Sequence, residues 1–235
     1  MRMKVFFISL FFVGSLALYG QKDVVEKKML EYGFSEQDLE IEISEENPNY
    51  SFKIRTTTKS DSETDVQEAS FDPYRPEGQK WKLETVNGNL PTSKELKSFN
   101  KDHNGKKKTA NQGEVSESSY NITEDNDDFF ILKFRYDPES LRKKDQFLAN
   151  CHGLAFFNKK TKRMDKIEFL NDGELKVRIL KVARLDMVQN LNYNETDNEY
   201  FIGNETIIMD IKLFGSIITV EELIEYYDYK KVRGN

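Results

Sequence analysis

The sequence predicts a mainly β protein (α+β), a single curved antiparallel sheet or incomplete β-barrel carrying two or three short helices. Three observations lead there. From Phe129 onward, short apolar runs, many with a period of two, are separated by turn material such as Asn158 to Thr161, Asn171-Asp172-Gly173 and Gly203-Asn204. The apolar fraction is only 37%, which suits a sheet that buries one side of each strand. A single cysteine, Cys151, leaves no internal disulfide, so a packed core must hold the chain, and the length fits one domain over 21–235.

The elements follow in order. Met1 to Gly20 carries Arg2 and Lys4, a mostly apolar run from Val5 to Val13, and small residues before Gln21, the layout of a cleavable signal peptide. Its apolar run is shorter than the roughly 20 residues a membrane span needs. Asp23 and Glu26 fit an N-cap and its partner, Val25, Met29 and Tyr32 share a face, and Gly33 stops a helix over about Val24 to Tyr32. Leu39 to Ile43 and Tyr50 to Ile54 alternate across a turn at Asn47-Pro48-Asn49 and read as an antiparallel pair. Thr56 to Ser70 is polar and aperiodic and reads as a loop or frayed edge.

Trp81, Leu83 and Val86 mark a strand ending at Asn87-Gly88. Thr92 with Glu95 forms a capping box ahead of a helix from Ser93 to Phe99, with Leu96 placed to pack on Trp81 and Leu83. Asn100 to Ser119 is polar and lysine-rich and reads as a flexible loop. Strands are then expected at 129–135, 154–157, 164–170, 175–183, 187–192, 200–203, 207–214 and 217–220. Leu175, Val177 and Ile179 change phase at Leu180 and Val182, which predicts a bulge near Ile179-Leu180. The tail, with Tyr227, Tyr229 and Lys231 on one parity, reads as a final strand rather than a helix capped by Thr219.

The block FDPYRPEGQKWKLETVNGNLPT, Phe71 to Thr92, resembles an uncharacterised family of secreted bacterial proteins that is similar to the outer-membrane lipoprotein carrier superfamily (LolA- and LolB-like). That resemblance implies an incomplete antiparallel β-barrel whose concave apolar face is closed by helices and holds acyl chains. It supplies no ligand-contact residue that maps onto this chain, and fold alone does not assign activity.

Composition excludes some functions. The formal charge is −6, and losing Arg2 and Lys4 with the leader makes it −8, the wrong sign for nucleic-acid binding. The runs Lys106 to Lys108 and Lys159-Lys160 read as solvated loop charges. Cys151-His152 places a thiol beside a base, but neighbours in a strand face opposite ways, so a buried thiol and a turn histidine are expected. Two histidines and one cysteine, scattered, make no zinc set. Asn100, Asp102, Asn104 and Gly105 match half a calcium loop, yet position twelve is Asn111 and three lysines follow Gly105. Glu124 to Asp128 reads as a solvated acidic loop, and Asn49, Asn121, Asn194 and Asn204, which begin glycosylation tripeptides, read as turn asparagines.

No catalytic, metal or cofactor site is therefore expected. The predicted function is a secreted or periplasmic binding protein that holds a lipid or other apolar ligand on the concave sheet face. Trp81, Phe130, Phe134 and Phe156 are the candidate ligand-binding residues, with Phe157, Tyr200, Phe201 and Phe214 as further aromatics of a core or groove. The alternative is a cell-envelope interaction or scaffold module whose partner is another protein; a secreted hydrolase is the least favoured reading. No nucleic acid and no transmembrane segment after cleavage are expected.

Overall fold

A computed structural model describes residues 21–35, 38, 46–61, 63–104, 113–143, 145–177, 180–213 and 215–232. The expected leader at 1–20 and the expected strand over 39–43 lie outside these residues, as do Ile179 and Phe214.

The described chain forms one open antiparallel sheet with two α-helices. Helix α1 spans Gln21–Glu31 and α2 spans Ser93–His103. The strands are β1 (Tyr50–Ser60), β2 (Glu63–Phe71), β3 (Trp81–Val86), β4 (Asn121–Asp125), β5 (Phe129–Phe134), β6 (Cys151–Asn158), β7 (Arg163–Asn171), β8 (Leu175–Val177), β9 (Leu180–Asn194), β10 (Glu199–Leu213) and β11 (Ser216–Lys231). Their spatial order is β3-β2-β1-β11-β10-β9-β7-β6-β5-β4, with β8 paired to β9. The last strand therefore joins the first three to the rest.

Most pairings are hairpins, so the sequence pattern reads directly into the sheet. Several elements nevertheless differ from expectation, each for a physical reason. The segment Thr56 to Ser70 is a long hairpin of β1 and β2 rather than a loop, in register from Phe52↔Phe71 to Ser60↔Glu63. Its threonines suit an extended backbone, its two faces are both polar beyond Ile54, and Asp61 turns the chain with φ 49°. A polar strand has no apolar period to detect.

The phase change after Val177 is a reversal of direction, not a bulge: Leu175 pairs with Val182 and Val177 with Leu180, which puts all four on one face of a β8–β9 hairpin. At Gly203-Asn204 the opposite holds. Ile202 pairs with Leu191 and Asn204 with Asn190, so Gly203 is an extra residue inside a continuous β10 rather than a turn. The separate strands expected over 187–192, 200–203 and 207–214 are parts of β9 and β10.

Helix α1 starts at Gln21, which places Asp23 in its first turn instead of at its cap, and Gly33 ends the segment at φ 82°. The capping box of α2 forms as expected: the Glu95 amide donates to Thr92 Oγ1 at 3.3 Å and the Thr92 amide donates to Glu95 Oε2 at 2.6 Å. The helix continues through His103, beyond the expected end at Phe99 and into the range read as a flexible loop. Within that same range Glu117–Ser119 forms a 3-10 turn, and Val115 bridges to Tyr136. The C-terminal tail is strand, as the alternation of its tyrosines indicates.

Most of the buried apolar residues gather in three clusters. Val25 and Met29 of α1 and Phe34 pack on Phe130, Leu132, Ala155, Phe157 and Met164. Phe99 of α2 packs on Phe52, Ile54, Ala69, Phe71, Trp81 and Leu83. Cys151, Leu175, Val182 and Leu185 form the third, with Phe147, Ile207 and Met209 against them. Trp81 is core, but it is Phe99 and His103 that cover it, with ring centroids of His103 5.1 Å from Trp81 and 4.2 Å from Phe99. Leu96 is not part of this cluster and is 37% exposed; Phe99, one turn further along α2, takes the buried place expected for it.

Candidate ligand-binding face

Strand register shows that all three clusters share one face of the sheet. A single cross-strand row runs Leu132, Ala155, Ile167, Gln189, Glu205, Ile224, Thr56 and Gln67. It starts beneath α1 and ends beside the α2 cluster. The two helices therefore sit on the same side of the sheet, α1 against β4 and α2 against β3.

Between the helix-covered ends, the neighbouring row on that face is apolar: Phe134, Gly153, Phe169, Met187 and Ile207, on five successive strands. Met209 follows Ile207 on the same parity. Phe134, Phe169, Met187, Ile207 and Met209 are half-buried, unlike the fully covered residues at either end. Gly153 is needed where it stands, because a Cβ there would meet the Phe134 ring at 2.2 Å. That ring lies across the glycine and meets Phe169 edge-on at 5.7 Å, while Tyr136 stacks on Phe169 at 6.0 Å. Burial pushes the Tyr136 hydroxyl above its ordinary range.

One polar pair interrupts this face. Glu205, 4% exposed, accepts a hydrogen bond from Gln189 Nε2 at 2.6 Å directly across β9 and β10. Further along, Thr58 Oγ1 donates to Glu222 Oε2 at 3.1 Å. A carboxylate placed inside an apolar surface must be hydrogen-bonded to be tolerated, and the glutamine supplies one such bond.

The four candidate residues read from the sequence fall in different places. Phe130 is fully buried, stacked on Phe157 at 4.8 Å and met edge-on by Phe34 at 5.4 Å. Phe134 lies four residues along the same face of β5, at the border of the half-buried row. Trp81 sits at the far end under α2, and its indole Nε1 donates to Glu46 Oε1 at 3.0 Å. Phe156 faces the other way, paired with Lys166, whose ammonium stands 4.0 Å from the ring centroid. So the structure brings Phe130 and Phe134 together, sets Trp81 apart, and removes Phe156 from the helix-bearing face. Phe169, Met187, Ile207, Met209 and the Gln189–Glu205 pair were missed. Parity alone would have found them, since each follows the odd-even phase of a strand already identified.

Cys151 and His152 do face opposite ways. Cys151 is 2% exposed among the third cluster, and burial pushes its thiol up to about 11. His152 stands on strand β6 rather than in a turn, its Nδ1 2.8 Å from Asp172 Oδ1, while Arg135 Nη1 donates to Asp172 Oδ2 at 2.5 Å. Among the described residues no three histidine, cysteine, aspartate or glutamate side chains gather as a metal set, and no helix is long and apolar enough to cross a membrane.

The opposite face is a ladder of polar side chains: Glu68, Arg55, Glu225, Asn204, Asn190 and Lys166 stand across six strands. Asn204 is thus in mid-strand, not in a turn. A depression of about 290 Å³ opens on that side, lined by Arg55, Gly203, Asn204, Glu225, Tyr226 and Tyr227.

An open antiparallel sheet bearing two helices on one apolar face defines the architectural class. Two solved structures are similar to this chain over most of its length. One is a LolA superfamily protein from Nitrosomonas europaea, 13% identical, covering 89% of this chain and 94% of that one, with a TM-score of 0.36. The other is a DUF1329 family protein from Desulfovibrio piger, 8% identical, covering 92% and 95%, also with a TM-score of 0.36. No family model matches this chain, and no curated protein is matched.

Proposed function

We propose that this is a secreted or periplasmic binding protein that holds a lipid or another apolar ligand on the helix-bearing face of its sheet. The observation that carries the reading is the half-buried row Phe134, Phe169, Met187, Ile207 and Met209, which lies between two fully covered clusters. Apolar side chains left part-exposed in a contiguous band gain about 25 cal/mol for each Å² that a ligand removes from water. Gly153 makes room for the Phe134 ring to lie over it within the band, and α1 and α2 flank the band. The charged, apolar and small-residue layout of Met1 to Gly20 supports export.

The test is native mass spectrometry with lipid extraction on residues 21–235 purified from the periplasm of the native host. A stoichiometric lipid or acyl species that is lost from a Met187→Asp or Ile207→Asp variant is the expected result. A clean apo mass, under conditions that retain lipid on a known carrier, overturns it and leaves the envelope interaction module as the better reading.

A further inference from the structure

The geometry points to a second binding site on the opposite, polar face of the sheet, built for a single neutral sugar ring. One wall is the extra residue Gly203 of β10, where a side chain would run into the Asn192 amide of β9 at 2.7 Å. With it, Arg55, Asn204, Glu225, Tyr226 and Tyr227 line an open depression of about 290 Å³. That is near the lower end of ligand-site volumes, about 300 Å³, and fits one ring rather than an extended chain.

The hydrogen-bonding capacity of the lining is only partly used. Arg55 donates from Nε and Nη2 to Glu68 Oε1, at 3.1 and 2.8 Å, which fixes the guanidinium and leaves Nη1 without a side-chain acceptor among the described residues. Asn204 Oδ1 accepts from Asn190 Nδ2 at 2.8 Å, which orients the amide and leaves its own two donors. Among the described residues neither the Glu225 carboxylate nor the Tyr227 hydroxyl makes a side-chain hydrogen bond. Residues that carry donors, acceptors and an aromatic ring line the same hollow, the set that a polyol with an apolar ring face requires.

Charge selects among polar ligands. Arg55, Glu68 and Glu225 together leave one net negative charge, and the nearby Lys53 is paired to Asp228 at 3.4 Å. Phosphate or sulfate would therefore meet a carboxylate with no unpaired cation to offset it. A neutral saccharide meets no such cost.

The test is a two-dimensional amide NMR titration of residues 21–235 with glucose, galactose and N-acetylglucosamine as neutral probes and inorganic phosphate as the anionic control. Saturable shifts confined to Gly203, Asn204, Glu225 and Tyr227 with at least one sugar, and none with phosphate, are expected. Glu225→Gln, an exposed position, should weaken that binding about tenfold with unchanged thermal stability, and Tyr227→Ala at least as much. The site is overturned if no sugar moves those resonances at about 10 mM, if phosphate moves them instead, or if Glu225→Gln binds like the parent. The probes touch the face away from the apolar row, so this result stands or falls separately from the lipid reading.

Discussion

The two ends of the sheet are covered by helices of equal length, yet they are fastened in different ways. At the α2 end the fastening is apolar and central. Phe52, Phe71 and Trp81 meet ring to ring at 5.0 to 5.5 Å, Phe99 closes over them, and Asn104 grips the Trp81 backbone from both sides, accepting from its amide at 3.0 Å and donating to its carbonyl at 2.8 Å. At the α1 end the core is similar, but the rim is ionic. Asp125 accepts from Lys28, Lys159 and Tyr32, each at 2.5 Å, and Lys162 donates to the Tyr32 carbonyl at 2.5 Å. Apolar contacts resist salt and acid, whereas part-exposed ion pairs resist neither. The α1 end is thus the one whose closure the medium can loosen.

The comparison can be broken most sharply at Trp81. Trp81→Ala should cost about 3–5 kcal/mol, read as a fall in the urea midpoint at unchanged slope, and a loss under about 1 kcal/mol would mean that the α2 end is not built on it. Gly153→Ala comes next. The new methyl drives into the Phe134 ring between the two ends, with an expected loss of about 1–3 kcal/mol; a neutral result would show that the aromatic row repacks freely.

Thr92→Ala removes half of the α2 capping box and should lower stability by about 1 kcal/mol, with a matching loss of helical signal from circular dichroism. The smallest effect is expected at Asp125, whose carboxyl is held well below the usual carboxylate range, first by the hydrogen bond from Lys159 and then by those from Lys28 and Tyr32. A lowered carboxyl contributes stability that is present above the ordinary value, near pH 4, and is lost as acid titrates the folded protein below it. Asp125→Asn should therefore cost no more than about 1 kcal/mol at neutral pH and low salt, less in high salt, and nothing relative to the parent once the pH is well under 3. Acid titrations of both proteins at two salt concentrations decide it; a difference that persists in strong acid would locate the effect in packing instead.

Much of this was legible in the residues. The period of two from Phe129 onward located β5, β6, β7 and β10, and the Thr92–Glu95 box located the start of α2. What could not be read was polar strand and chain reversal. The β1–β2 hairpin has few apolar residues beyond Ile54 and Ala69, so its strands are held by ladder hydrogen bonds and cross-strand pairs such as Arg55 with Glu68. The same apolar phase change was produced by a hairpin at β8–β9, and glycine with asparagine, a turn signal elsewhere, marked a bulge at Gly203. At the candidate face the aromatics were visible as residues but not as a surface. Phe156 was grouped with Phe130 and Phe134, although its even position on β6 turns it away, and the methionine and isoleucine share of the row showed in strand parity but not as part of a shared surface.

The place of β11 has a consequence for how the chain reaches this structure. On its side away from β2, β1 finds its partner only in β11, so Ser60 pairs with Val220 and Tyr50 with Lys231. Closing contacts over so much intervening chain is slow, because the loop entropy is spent before the ladder returns it. The β1–β3 hairpins and the α2 cap can form early, but they stay separate from the β4–β10 meander until the final sixteen-residue strand arrives to zip between them. Until then β1 presents an unpaired edge, and a chain that stops short of β11 ends as two unjoined sheets.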